Sequence, residues 1–443
     1  MRPLNPSSNQ PRVTFSNSPQ ICIRTGGKLF SDGTLLELLR DKQNGGLKLL
    51  RARGRSWKTG PSLRFREHTY KPPQFKSSSV LSAIRVPTEY GECPSTTELF
   101  AAVRSIFLER GYPEDTVFPL PYFVFATWFT DVLAAAPCLL IDGARPEANL
   151  FLQLFECMVR RPLMIGQLTS SGLCSLPVDL CPTLLIDQPA IAKSTLEMLR
   201  ATSRHGFHVP LRGHLLDIFL SKVLYGGEDA DGVQLGESTL RVSLPPLHGP
   251  FPVLTTEERE AIAGKFQPKF LAFRCQNILK VQHSSCDFPE FESSVRILSR
   301  ILGAPVVDAP ELQADLEPYL HRLQEELQGA RAFVPKCVVV EALLHLCHEQ
   351  AEKAMVHRIS EVANAILVGR GEKGDLAPEQ VGRMLRKLGL PLNRSAKGST
   401  LALNQAVHKK TSELAKQHSV AAVQVGLQKC PTCEGQFGPE GKS

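Results

Sequence analysis

The stretch Pro137–Phe155, PCLLIDGARPEANLFLQLF, orders its residue types as a strand, a turn and a helix. An apolar run ends at Asp142-Gly143, and a helix-periodic run opens near Asn149. Nucleotide phosphates are held at such a junction by G-x-x-x-x-G-K-[ST], whose backbone N–H groups and helix N-terminus surround the anion. With Gly143 as the first glycine, the remaining anchors fall on Ala148, Asn149 and Leu150. Ala148 adds a Cβ where the backbone must approach phosphate. Asn149 brings no charge to the β- and γ-phosphates, and Leu150 has no hydroxyl for Mg²⁺. Arg145 puts a cation in the turn, and Glu147 a carboxylate that would repel phosphate.

A second apolar run, Thr183–Pro189 (TLLIDQP), ends in an acid as a Walker B strand does. Asp187 stands at the Mg²⁺-binding place. Gln188 stands where a glutamate would polarise water, and an amide can orient water but cannot accept its proton. Each fragment alone fits many buried strands, so the weight lies on their joint order and spacing. Loss of the lysine, the hydroxyl and the glutamate together argues against ATP hydrolysis.

The elements that must position these residues follow from the pattern. Residues 1–20 are polar and Pro/Ser/Asn-rich, with no secretory leader, and are expected to be disordered. Residues 21–80 suggest a small basic α/β module and a linker, with TLLELLRD as a helix or strand. From Ser95 to residue 254, helices and continuous apolar strands alternate, which predicts a parallel sheet covered on both faces. Ser95 with Glu98 and Thr255 with Glu258 form capping boxes. Tyr122–Ala136, YFVFATWFTDVLAAA, is too short and too interrupted to span a bilayer and reads as a buried core helix. Residues 255–350 turn helical, residues 352–420 form a further unit, and residues 421–443 form a flexible tail.

Together with STTELFAAVRSIF, ATWFTDVLAAAPCLLIDG, RRPLM, PTLLIDQP and LEMLRATSRHGFHVPL, this order resembles the primase–helicase-like P-loop ATPases of phages, plasmids and integrated mobile elements. The resemblance runs over roughly residues 95–420. It implies a RecA/AAA+-like core, often ring-forming, that acts on DNA at replication. Carried over by position, Gly143 matches the first P-loop glycine and Asp187 the Walker B aspartate; Ala148, Asn149, Leu150 and Gln188 depart from the pattern. SKVLYGG resembles the sensor strand, with Tyr225 and Gly226 where an asparagine is usual. Arg241 is offset from the usual arginine finger and is not assigned.

Downstream of Val356 the order is helix, helix, ribbon, helix, which resembles the winged helix-turn-helix such proteins often carry. Asp375 is expected to cap a helix with Pro378 in its first turn. That helix would bury Val381, Leu385 and Leu388 and present Gln380, Arg383, Arg386 and Lys387, while the ribbon adds Arg394 and Lys397. From Leu376 to His418 there are eight Lys/Arg against two acids, suited to phosphate contact. A charged surface on a protein-binding fold would look the same.

Charge points the same way. Residues 1–80 hold fifteen Lys/Arg against four Asp/Glu, a surplus of eleven, so with +7 for the chain the other 363 residues sum to −4. A basic arm before a near-neutral body fits a polyanion, or serves solubility alone. The twelve cysteines are scattered, many in apolar runs, as expected of free thiols in the cytoplasm. Cys430 and Cys433 supply half of a zinc site, and four ligands are needed. The expectation is therefore an α/β protein with a P-loop NTPase-like parallel sheet, a helical segment and a C-terminal winged helix. It would bind DNA as a catalytically degenerate scaffold or regulator, with no metal or cofactor and no membrane. A homo-oligomer or an active ATPase is a possible partner. The alternatives are an active divergent ATPase or helicase and a protein-interaction module that does not bind DNA.

Overall fold

The computed structural model describes residues 21–75, 78–211, 214–227, 235–236, 239–248, 251–284, 286–349, 351–395, 398–418 and 420. The expectations for residues 1–20 and 421–443, including Cys430 and Cys433, lie outside them. The chain divides into two units after Pro318.

Short β-rich runs between turns make strands the regular elements of residues 22–71, where a small α/β module was expected. The strands are β1 (Cys22–Arg24), β2 (Lys28–Leu29), β3 (Leu35–Arg40), β4 (Leu47–Arg53), β5 (Ser56–Gly60), β6 (Leu63–Phe65) and β7 (His68–Lys71). They form an antiparallel sheet of order β2-β3-β4-β5 and a second sheet of order β1-β7-β6. The run LLELL does not alternate because Leu35 to Leu39 is buried on both faces.

After α1 (Ser78–Ala83) come α2 (Thr96–Leu108), α3 (Glu114–Val117) and α4 (Leu120–Thr127). The Ser95–Glu98 capping box opens α2 as expected. Every residue of α4 is buried, but the expected helix over 122–136 stops at Thr127 and resumes only as a 3-10 turn at Thr130–Val132. The hydroxyls of Thr127 and Thr130 donate back to Val124 O and Thr127 O, offering the carbonyls a partner outside a continuing helix.

The central sheet is built from β8 (Cys138–Gly143), α5 (Arg145–Met158), β9 (Pro162–Ile165), α6 (Ser170–Cys174), β10 (Thr183–Asp187), α7 (Lys193–Ala201), the hairpin β11 (His208–Leu211) and β12 (His214–Asp217), β13 (Lys222–Tyr225) and β14 (Thr239–Leu244). Its order is β14-β8-β13-β10-β9 and every pairing is parallel. This is the expected mixed α/β architecture, consistent with a P-loop-like core. One face carries Cys138, Leu140, Leu184, Ile186 and Leu224 into a core shared with Leu36, Leu38, Leu49 and Tyr70 of the N-terminal strands. The unit is completed by α8 (Thr256–Gln282), capped by Thr255 and Glu258, by α9 (Ser293–Gly303) and by the start of α10 (Pro310–Arg331).

The second unit contains α11 (Pro335–His348), β15 (Lys353–Met355), α12 (Val356–Gly369), α13 (Pro378–Lys387), β16 (Leu392–Ser395), β17 (Gly398–Ala402) and α14 (Gln405–Gln417). The strands form an antiparallel sheet of order β15-β17-β16. Val338 to Leu346 of α11 share one core with Ile359, Val381, Leu385, Leu401 and Leu414. The N-cap of α13 is Ala377, not Asp375; Gln380 Oε1 accepts the Ala377 N–H at 3.1 Å and does the capping instead.

No helix among the described residues is long and apolar enough to cross a membrane. None of the described cysteines is paired, and Cys138, Cys157, Cys275, Cys337 and Cys347 are buried.

Candidate functional site

At the P-loop position the strand-to-helix junction is short. β8 ends at Gly143 and α5 begins at Arg145, so Ala144 alone separates them. The helix was expected near Asn149; Pro146 and Glu147 in its first turn start it four residues earlier. Ala148 and Leu150 are therefore buried inside the helix and Asn149 is exposed, so the three anchors do not converge.

Gly143 has a structural task here. Its φ is +122°, and a Cβ would lie 2.4 Å from Leu244 O on the neighbouring strand β14. Its N–H donates to Gly227 O at 3.2 Å, and its carbonyl accepts the Tyr225 hydroxyl at 3.0 Å. Glu147 is buried in the first turn of α5, where the helix dipole favours negative charge. Its Oε1 accepts the Leu247 N–H at 3.1 Å. The chain thus supplies its own carboxylate at the helix end that would otherwise face phosphate.

Arg145 and Asp187 do come together. Arg145 Nη2 lies 3.2 Å from Asp187 Oδ2, an ion pair open to solvent on the arginine side. Gln188 is held away from a water-orienting role, since its Oε1 accepts the Leu168 N–H at 2.6 Å and its Nε2 donates to Ala190 O at 3.2 Å. Arg145, Asn149 and Leu150 instead line a cleft of about 460 Å³ with Phe251, Val253 and Leu254.

In the second unit, α13 buries Val381 and Leu385 completely and exposes Gln380, Arg383, Arg386 and Lys387. Arg383 and Arg386 line one cleft with Arg394 of β16 and His357 of α12, about 410 Å³ in volume. On its other side, Gln380, Arg383 and Lys387 line a second cleft of about 340 Å³. Among the described residues, no carboxylate pairs with Arg383, Arg386, Lys387 or Arg394. Lys397 lies outside the described residues.

Sequence reasoning missed a buried charge cluster. Glu37 on β3 accepts from Arg160 Nη2 at 2.6 Å, Arg274 Nε at 2.7 Å and Arg161 Nη2 at 2.5 Å. Arg274 also grips Asp131 through two bonds of 2.8 and 2.7 Å. Burial opposes the charge on Glu37, and the three guanidinium groups outweigh it, holding the carboxyl well below its usual range. The signal was legible: Glu37, Asp131 and Arg274 each stand alone inside an apolar run, and RR opens the RRPLM segment.

No family model matches the chain, and no curated protein matches it. Among solved structures, the chain is similar to the C-terminal region of NrS-1 in its A-form apo structure. The identity is 9% and the TM-score 0.34, over 83% of this chain and 97% of that one. It is also similar to Cdc6p from Pyrobaculum aerophilum, at 11% identity and a TM-score of 0.17, over 77% of this chain and 98% of that one. At these TM-scores neither likeness carries an argument about function.

Proposed function

We propose that this chain is a DNA-binding scaffold or regulator built on a P-loop-like core that no longer turns over ATP. Its C-terminal unit docks on duplex DNA as a winged helix-turn-helix, in support of the replication or maintenance of a mobile element. The observation that carries this reading is the set of exposed cations without acidic partners on one helix and its ribbon: Arg383, Arg386 and Lys387 on α13, and Arg394 on β16. Cations placed so are free to neutralise phosphates and release counterions. Arg145 beside Asp187 favours the second reading, a divergent ATPase in which an arginine replaces the lysine.

Binding to a short duplex across a salt series tests this, with ATP turnover followed in the same samples. The expected result is a linear log–log salt dependence and no turnover above a blank. Replacing Arg383, Arg386 and Lys387 together by Ala should flatten the slope by about 2.7, from roughly 0.9 per phosphate contact. Turnover abolished by Asp187→Ala would establish the ATPase instead. An unchanged slope in the triple variant would remove α13 from the interface.

A further inference from the structure

The N-terminal strands carry a second cationic surface, far denser in charge than the rest of the chain. Residues 21–75 hold twelve Lys/Arg and four Asp/Glu. One of those acids, Glu37, is buried and committed to three arginines. The cations are ordered by the sheet. Lys28, Arg51 and Lys58 fall in register on the face of β2–β5 that packs Leu36 and Leu49 into the core, so Lys28 and Lys58 are exposed at its two edges and Arg51 is half-buried between them. Arg53 follows on the same face two residues beyond Arg51.

Aromatic rings lie under Lys28 and Arg51 of this set and under the neighbouring Arg66, which also pairs with Asp32 at 3.7 Å. Arg51 lies over Phe65 at 5.5 Å, Arg66 over Phe65 at 5.4 Å and Phe30 at 5.6 Å, and Lys28 over Phe30 at 5.3 Å. Such contacts fix guanidinium and ammonium groups without neutralising them. Among the described residues, no carboxylate lies within ion-pair distance of Arg51, Arg53, Arg55, Lys58 or Arg64.

β5 is one of the two edge strands of its sheet, and it carries the exposed Trp57. Trp57 and Lys58 point to opposite faces of that strand and so flank the same edge. The Trp57 ring packs at 5.3 Å on Tyr90 and is still 49% exposed. An exposed ring at a sheet edge whose other face and preceding turn carry the unpaired cations Lys58, Arg53 and Arg55 is suited to a single strand that wraps the edge, with bases stacked on the ring and phosphates on the cations. Duplex DNA hides its base faces and could use only the cations.

We propose that the β4–β5 hairpin is a second nucleic-acid surface that takes single strands, with Trp57 as its stacking platform and Arg53, Arg55 and Lys58 as its phosphate contacts. It extends the DNA role proposed above and does not depend on α13.

Trp57 gives the test a local readout, because the only other tryptophan, Trp128, is 1% exposed. The full chain carrying Arg383→Ala and Arg386→Ala is titrated with an oligothymidylate, following tryptophan fluorescence and the anisotropy of a label on the oligonucleotide. Quenching with saturable binding is expected to survive in this background. Adding Arg53→Ala, Arg55→Ala and Lys58→Ala should flatten the log–log salt slope by about 2, from roughly 0.7 per contact on a single strand. Trp57→Leu should weaken binding at least about fivefold, the low end for one stacked base. These four side chains are exposed, and matching circular dichroism melts would show that the variants fold. Absence of quenching, or unchanged affinity in both variants, overturns the proposal. So does quenching by anionic phosphatidylserine vesicles that oligothymidylate cannot displace. Loss of duplex binding in the α13 background with the single-strand signal intact would bear on α13 alone.

Discussion

Replacing Glu37 by Gln tests whether the buried charge cluster holds the first unit together. The change keeps the side-chain volume and removes one negative charge facing three guanidiniums. Glu37 and Asp131 offset two of the three positive charges of Arg160, Arg161 and Arg274; the variant leaves one acid for three bases. The new amide also turns two N–H groups toward donors, so at least one of the bonds of 2.5–2.7 Å from those arginines is lost. Breaking a buried pair while leaving its partner charged costs about 3–5 kcal/mol. Taken over a cooperative unit of roughly 300 residues, at about 2.1 cal/mol/K per residue, that lowers the melting temperature by about 5–8 °C.

The assay is thermal unfolding at pH 7 by circular dichroism, with Glu67→Gln on the surface as the control. A fall below about 1 °C would refute the account. The pH dependence has a definite sign. The folded pKa of Glu37 is depressed, so its contribution is complete above the ordinary glutamate value of about 4.3 and is lost as pH falls through the folded value. The gap between native and variant should therefore stay constant from pH 7 to about 5 and narrow only in stronger acid. Adding Arg160→Met to Glu37→Gln should recover part of the loss, because it removes one of the stranded cations.

Two further outcomes follow from single positions. Burial pulls the Lys222 ammonium down in pKa, with Cys138 only partly offsetting it, and its Nζ donates to Ser203 Oγ at 2.8 Å and Cys138 Sγ at 3.2 Å. The unfolded chain therefore holds a proton that the folded chain gives up, and native stability rises with pH from the folded value toward about 10.4. Lys222→Met should gain melting temperature relative to the native chain at pH 7 and lose that advantage by pH 10; a pH-independent difference would contradict it. Gly143→Ala combines a left-handed φ, which costs about 1–3 kcal/mol by itself, with a Cβ placed 2.4 Å from Leu244 O. It should destabilise more than Gly45→Ala, where φ is +68° but no atom lies within 4 Å; equal losses in chemical denaturation would mean that β14 yields.

The parallel sheet was legible because β8, β10 and β13 in its middle are buried along most of their length and mostly apolar, as strands covered on both faces must be, while the edge strand β14 alternates. Helix ends with polar signatures, such as Ser95–Glu98 and Thr255–Glu258, were legible for the same local reason. α5 starts at Arg145 rather than near Asn149 because Pro146 and Glu147 are ordinary first-turn residues, a local signal that outweighs the spacing of the phosphate-binding motif. The stretch TLLELLRD stayed open between helix and strand because Leu35 to Leu39 does not alternate, and only the tertiary packing shows both faces covered. The Glu37 cluster draws its members from β3, the segment after α5, and α8, and such partners are set by the fold rather than by spacing in sequence.

Whether the Gly143 junction could hold a nucleotide phosphate turns on the loop rather than on the residue types. A phosphate cradle needs several consecutive residues outside regular structure, so that successive N–H groups point at one spot. Between Gly143 and Arg145 there is only Ala144. Residues inside a helix are spread by about 100° each, so a lysine at position 149 and a threonine at position 150 would sit on different sides of α5. Returning the motif's residues would leave the cradle absent, and only an insertion before α5 could rebuild it. At that end of the sheet Arg145 is already paired with Asp187, and Glu147 accepts the Leu247 N–H and keeps its negative charge at the start of α5. Among the described residues, α13 and the β4–β5 hairpin carry exposed cations without a carboxylate partner, and the scaffold proposed above rests on that placement.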